Sequence, residues 1–247
     1  MIVDDHAHLF LYNDVNKIIE NIEKGVYAII ENGLDIETNR KVIEESNKFD
    51  FVYFALGFHP NYLENLEDHI IEKELEFIEN FKNEKFLAIG EIGLDYYHTS
   101  EIEKIKKQRK YFEKLLEIAD KKGLPVIIHS RNSEEDVLSI LESYNNKKVL
   151  HSFWKPKLVK KAIDIGCFIS IPAFVYKDKG LQKIAEETPL DLILTETDAP
   201  FLDPIGYREN NSWKILYGIQ KISEIKKTSI EDIEKHIKNN FKKVYNI

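Results

Sequence analysis

Cysteine is nearly missing from this chain: one thiol, Cys167, stands among 247 residues. A lone cysteine excludes an intramolecular disulfide and a cysteine-rich zinc site. Placed at the start of an apolar run, it reads as a small buried side chain. No apolar run approaches the length of a membrane span. The first structured run begins at Ile2 and leaves no room for a leader peptide. The expected setting is therefore the cytoplasm, with no membrane and no obligate protein partner. An excess of positive charge is also lacking: 35 Lys and Arg against 43 Asp and Glu give a net charge of −8. That argues against broad electrostatic adhesion to nucleic acid. It does not exclude a nucleic-acid enzyme, because bound divalent cations reverse the potential where a phosphate would sit. No GxGxxG follows the first run, so a dinucleotide-binding open sheet has no support. No G-x-S-x-G elbow is present to carry a nucleophilic serine. There is no repeat, linker or low-complexity tract.

What the chain does have is 43% apolar and 32% charged residues, the composition of an ordinary globular protein. Short apolar runs at 2–9, 26–31, 51–58, 86–92, 125–130, 148–153, 167–171 and 192–197 alternate with helical spacings such as Ile18/Ile19/Ile22, Phe112/Leu115/Leu116 and Leu158/Ala162/Ile165. Strand–helix alternation implies parallel strands with crossover helices. Eight repeats imply a closed α/β barrel of the TIM type, (β/α)8, as a single domain over residues 1–247, with its site at the carboxyl ends of the strands. The longest irregular stretch, 199–211, follows the eighth run. Thr228-Ser229-Ile230-Glu231-Asp232 signals the start of a closing helix.

Ionisable residues collect at one end of these runs. His6 and His8 are two apart on the first run, so a strand would turn both to one face. Glu91 falls near the end of the fourth strand, His129 ends the fifth, His151 ends the sixth and Asp198 ends the eighth. One such group reads as a satisfied polar residue at the rim. Six at the same end of five strands point to metal. Four imidazoles and two carboxylates exceed what one zinc needs. They suit two ions about 4 Å apart, bridged by a carboxylate and a hydroxide. The expected ligands are His6, His8, Glu91, His129, His151 and Asp198, with zinc, manganese or magnesium as the ion. Either carboxylate, Glu91 or Asp198, could supply the bridge, and Asp198 is the expected acceptor of the water's proton. Ser130 and Ser152 each follow a ligand and are expected to hydrogen-bond around it.

With these motifs the chain resembles the TatD family of metal-dependent hydrolases. The resemblance rests on Asp5-His6-Ala7-His8, Gly57-Phe58-His59-Pro60, Gly90-Glu91-Ile92-Gly93-Leu94-Asp95-Tyr96-Tyr97, Pro125 to Arg131, His151-Ser152-Phe153 and Glu196-Thr197-Asp198-Ala199-Pro200. They run in the family's order along nearly the whole chain. The resemblance implies a TIM-type barrel, divalent-metal hydrolysis and nuclease action on DNA, often from the 3′ end. It implies one ion on His6, His8, Glu91 and Asp198, and the other on Glu91, His129 and His151. Two loops depart from the family. Trp154-Lys155-Pro156 stands where a glycine is common, and Asn211-Ser212-Trp213 where Asn-Glu-Pro is common. Both are expected to meet substrate rather than metal.

Further residues are expected around the site. His59 is a candidate to contact a substrate phosphate or, instead, to orient a loop, and Arg131 to hold a phosphate through a bidentate grip or, instead, to make a salt bridge to a neighbouring strand. Asp95 is expected to fix a ligand or a loop. Tyr96, Tyr97 and Trp154 offer faces for bases or simple packing. His98 is placed at a helix start, and His69 and His236 on the surface. The competing reading is another hydrolase on the same two-metal site. It would be a phosphoesterase of the PHP type, or an amide or ester hydrolase such as an aminoacyl-tRNA deacylase. Against the first, residues 26–35 offer only Glu31 and Asp35. Against a carbamylated-lysine site, the fourth run carries Glu91.

Overall fold

The computed structural model describes residues 2–206 and 209–247. The strands are β1 (Ile2–Ala7), β2 (Val26–Asn32), β3 (Val52–Leu56), β4 (Phe86–Asp95), β5 (Val126–Arg131), β6 (Lys148–Leu150), β7 (Cys167–Pro172) and β8 (Ile193–Glu196). They form one parallel sheet in sequential order. The helices are α1 (Asn16–Glu23), α2 (Ile36–Lys48), α3 (Pro60–Leu63), α4 (Asp68–Asn80), α5 (Ile102–Lys122), α6 (Glu134–Leu141), α7 (Val159–Asp164), α8 (Lys179–Glu187), α9 (Ile215–Lys226) and α10 (Ile230–Tyr245). The expected (β/α)8 barrel is present. Its strands are apolar on both faces because helices cover the outside and side chains fill the inside. Ile29, Phe54, Ile89, Ile128, Leu150 and Ile169 are fully buried. Where helices begin, the sequence supplies caps: Asp35 and Thr38 form a reciprocal capping box on α2, and Ser229 caps α10 through the Asp232 amide.

The seam between β8 and β1 matters most for the site. It is closed at the mouth by an isolated parallel bridge between Ala7 and Ala199. The Asp198 amide donates to the His6 carbonyl at 2.9 Å, and the His8 amide to the Ala199 carbonyl at 2.7 Å. Below them the Asp4 carboxylate takes the place of a strand: it accepts the Thr197 amide at 2.9 Å and the Thr197 hydroxyl at 2.5 Å. Closing the barrel therefore fixes the backbone of His6, His8 and Asp198 together.

Several expectations need correction. β1, β6 and β8 end earlier than the apolar runs suggested, so His8, His151 and Asp198 lie just past their strands. β4 runs to Asp95, because residues 93–95 still pair with 129–131 of β5, and Glu91 is mid-strand. On α1 only Ile18 of the three spaced isoleucines is buried; Ile19 and Ile22 are 40% and 53% exposed. His98 lies in the bend after β4, ahead of α5.

Candidate metal centre

His6 and Glu91 occupy matching irregularities. The β1–β2 register shifts between Asp4 and Ala7, and the β4–β5 register between Ile89 and Ile92. Such breaks in a ladder re-aim side chains. Two glycines make the approach possible. A Cβ on Gly57 would sit 2.6 Å from the Gly90 carbonyl carbon and 2.9 Å from the Glu91 oxygen. Gly93 has φ +146°, and a Cβ there would lie 1.9 Å from the His129 oxygen. Asn39 holds the first of these in place, donating to the Gly57 carbonyl and accepting from its amide. Asp198 and Ser152, at φ +55° and +42°, sit in the left-handed region that non-glycine residues seldom adopt. Strain of this kind persists where the surroundings over-determine it, often at functional sites.

The six expected residues converge. His6 Nε2 lies 3.2 Å from His8 Nε2, 3.3 Å from Glu91 Oε2 and 3.8 Å from Asp198 Oδ1. His8 Nε2 lies 3.6 Å from Glu91 Oε2 and 3.5 Å from Asp198 Oδ1. Donors bound about 2.1 Å from a tetrahedral ion stand roughly 3.4 Å apart. Five donor–donor separations therefore match the edges of one coordination polyhedron. The other Glu91 oxygen, Oε1, is 3.0 Å from His129 Nδ1 and 3.9 Å from His151 Nε2. Glu91 thus presents one oxygen to each group. The rings of His6 and His151 stack with centroids 3.6 Å apart.

The outer ring nitrogens decide what the inner ones can do. His8 Nδ1 is 3.0 Å from the Asn32 carbonyl, and His151 Nδ1 is 3.0 Å from Glu196 Oε2. His129 Nε2 is 3.3 Å from Asp95 Oδ2. A carbonyl or carboxylate only accepts, so each outer nitrogen carries the proton. In the neutral ring each inner nitrogen then presents a lone pair. Lone pairs facing carboxylate oxygens at these distances repel unless a cation or an added proton lies between them. The donor set fits divalent metal, with ligands oriented by hydrogen bonds to their other nitrogen. Asn32 and Glu196 were not singled out from the sequence. Glu196 carried a signal: a fully buried carboxylate two residues before Asp198 needs a partner.

Charges follow from this arrangement. Burial works against His151, but the Glu196 carboxylate and then Glu91 outweigh it and push the ring up to about 10. His129 is also raised: burial opposes, and hydrogen bonds to Asp95 and Glu91 prevail. His8 is raised against burial by Asp198 and Glu91. His6 is lowered, first by burial and then by the charge of His151. Burial favours protonation of Glu91, yet the histidines around it, with hydrogen bonds from His129 and His6, hold it well below the usual carboxylate range.

His59 differs from the ligand histidines. Its Nδ1 accepts the Asn61 amide at 3.3 Å. In the neutral ring the proton therefore sits on Nε2, which faces Glu91 Oε1 at 3.7 Å. Burial, then His129, pushes its pKa down to about 3, so the ring is neutral. In that tautomer Nε2 presents a donor to the cavity, and the ring also lies with Asp95 and His129 in a group spaced to hold an ion. Among the described residues Arg131 makes no salt bridge to a strand; its guanidinium stacks on the Tyr97 ring at 3.9 Å and lines a cavity of about 500 Å³ above the ligands. Asp95 fixes both a ligand and a loop, accepting the Tyr97 and His98 amides. Ser152 donates to Glu196 as expected, whereas the buried Ser130 hydroxyl makes no hydrogen bond. Trp154 lines the cavity. The other divergent loop does not meet it: the Trp213 amide donates to Asn21 and its ring lies against Lys24 and Tyr217. Glu31 accepts the Phe10 amide and Asp35 caps α2, so both candidates for a PHP-type extension serve the scaffold. No helix among the described residues is long and apolar enough to cross a membrane.

Comparison with known proteins agrees with this geometry. The model of the TatD related DNase family matches residues 3–246. An uncharacterized metal-dependent hydrolase of Bacillus subtilis is 30% identical, with 100% of each chain covered. The human deoxyribonuclease TATDN3 is 30% identical over 94% of this chain and 90% of its own. Among solved structures, a TatD homologue from Escherichia coli shares the fold with a TM-score of 0.90 at 23% identity, covering 100% of this chain and 98% of the other.

Proposed function

The chain belongs to the TatD related DNase family and is a metal-dependent hydrolase, and from that premise we propose that it is a two-metal phosphodiesterase that shortens DNA from its 3′ end. One ion is held by His6, His8, Glu91 and Asp198, the other by Glu91, His129 and His151. The observation that carries this reading is Glu91, whose two oxygens face two separate groups of inward nitrogens. The named activity of the human relative supports DNA as substrate. Two divalent ions, zinc, manganese or magnesium, supply an ionised water near neutral pH and positive charge for phosphoryl oxygens.

The chain's own side chains do the rest. Asp198 is the more accessible carboxylate, 18% exposed against 3% for Glu91. Its Oδ1 faces His6 and His8, and its second oxygen accepts the proton of the attacking water. His59 Nε2–H donates to a phosphoryl oxygen, where charge builds up in the transition state. Arg131, stacked at the cavity wall, grips a phosphate. The cavity of about 500 Å³ takes a strand end more readily than the middle of a duplex.

Two measurements test this. Elemental analysis after gentle purification, followed by titration of the stripped protein, should give two ions per chain; saturation at one ends the two-metal reading. A 3′-labelled and a 5′-labelled oligonucleotide, digested in parallel with manganese or magnesium, decide polarity. The 3′ label should appear at once as mononucleotide while the 5′-labelled strand shortens stepwise. Internal cuts appearing first would reject the exonuclease.

A further inference from the structure

A second, larger cleft of about 750 Å³ opens beside the metal cavity, and Asn132, Glu134 and Lys155 line both. It runs between the β5–α6 turn and the residues that follow β6. Its lining carries Lys155, Lys157 and Lys183, the carboxylates Glu134 and Glu135, and apolar surface from Tyr96, Pro156 and Leu158, with Lys155 shared by both cavities. Asp136 adds little charge, because Arg109 and the Tyr96 hydroxyl each bind it at 2.8 Å. Lys155 lies 3.8 Å from Glu134, and Lys183 is 3.7 Å from Glu187 on a mostly exposed side chain. Trp154, 38% exposed and leaning on Phe174, marks the passage from one cavity to the other.

We propose that this cleft is a subsite for the nucleotides beyond the scissile bond: its lysines take the phosphates of a single strand, and its apolar lining takes the bases. This deepens the nuclease reading and rests on it. Continuity with the metal cavity supplies the occupant, since a strand whose end lies at Glu91 must leave along a connected path. Charge complementarity supplies the orientation. Phosphates pair with ammonium groups, ring faces lie on Tyr96 and Pro156, and the carboxylates of the lining accept from exocyclic amines of bases. The volume suits one or two nucleotides and excludes a duplex. The departure at Trp154-Lys155-Pro156 thereby acquires a role: it builds the junction between the two cavities.

The test compares single strands of two and six nucleotides on the parent enzyme and on a Lys157→Glu/Lys183→Glu variant, loaded with the same metal. In the parent, kcat/KM should rise about tenfold with length, through the added phosphate contacts, and in the variant about twofold or less. Lys157→Arg/Lys183→Arg should retain the gain, which separates loss of charge from misfolding. Anisotropy of a labelled hexanucleotide with a phosphorothioate at its 3′ end reads binding without turnover. The variant should bind at least fivefold more weakly, with a shallower salt dependence. Hydrolysis of bis(p-nitrophenyl) phosphate reads the phosphodiesterase reading separately. If that diester is inert while hexanucleotide binding still depends on the lysines, the subsite stands and the nuclease reading falls. A parent with no length-dependent gain, or a Glu variant that keeps it in full, overturns the subsite.

Discussion

On the β1 side of Glu91, His6, His8 and Asp198 are fixed by the hydrogen bonds that close the barrel, and the one outer nitrogen with a partner, that of His8, meets a neutral backbone carbonyl. On the β5–β6 side, His129 and His151 are each backed by a carboxylate, Asp95 and Glu196. Both groups reach the cavity, the first through Asp198, 18% exposed, and the second through His129, 16% exposed. The first offers four donors at the spacing of a complete polyhedron, the second three. Closed sites hold an ion, and sites with a free position do chemistry with it. A carboxylate behind a histidine makes the ring a stronger donor. On the reading proposed above, the seam group would grip its ion with four donors and the β5–β6 group would leave a position free, with Glu91 joining them.

The largest effect should come from the residue that belongs to both. Glu91→Gln keeps the shape and removes the charge. Hydrolysis should fall by about three orders of magnitude or more, a loss on the order of 3–4 kcal/mol in transition-state stabilisation. Steady-state rates at saturating metal measure it, and a variant within tenfold of the parent would show that Glu91 does not join the two sides.

Glu196→Gln should strike one side only. Oε1 of Glu196 accepts the Ser152 amide and hydroxyl. A glutamine keeps its oxygen there and turns its amino group toward His151 Nδ1. That forces the imidazole proton onto Nε2 and removes the inward lone pair. Affinity for the second ion should fall about 10- to 100-fold, while the first is retained. Calorimetric titration of the stripped protein separates the two. Equal weakening of both ions would mean that the sides are not distinct.

How much of this was readable in the residues alone divides along the same line. The eight strands were legible because apolar runs of strand length alternate with helical spacing. The six converging residues were legible because each stands at or near the carboxyl end of a run. What orients them was legible only at Asp95, expected to fix a ligand or a loop and found doing both. Asn32 acts through its backbone carbonyl, which every residue has. Glu196 acts through a partner 45 positions away, His151. Strand ends were misjudged at His8, His151 and Asp198 because apolar character continues past the last ladder bond. Glu91 seemed terminal because Gly93, which breaks the apolar pattern, is there for His129 to pass.

The pH dependence of metal binding should show a smaller asymmetry. His129 and His151 are raised, so at neutral pH the empty second side holds protons that the ion must displace. On the first side His8 is raised but His6 is lowered, so fewer protons leave. Affinity should rise with pH on both sides and more steeply on the second. Lowering the solution from about pH 8 to about pH 6 should release the second ion first. Equilibrium dialysis across that range gives the order of loss, and loss of the first-side ion at the higher pH would reverse the assignment.

The smallest effect belongs to His59, which sits between the sides and should serve neither as ligand. Its inward nitrogen carries a proton because its outer nitrogen accepts the Asn61 amide, and Pro60 at the first position of α3 holds that turn. His59→Ala removes a donor and leaves both ions. We expect two ions per chain as before, a fall of about tenfold in kcat from the loss of one hydrogen bond to a charged oxygen, and little change in KM. His59→Gln restores an N–H at similar reach and should recover part of the loss. The bland alternative is that His59 only props up its loop; then the alanine and glutamine variants would lose stability together and kcat would not respond to the restored donor. Loss of an ion in the alanine variant would make His59 a ligand and turn the second side into a four-donor site, erasing the contrast between a holding ion and an open one.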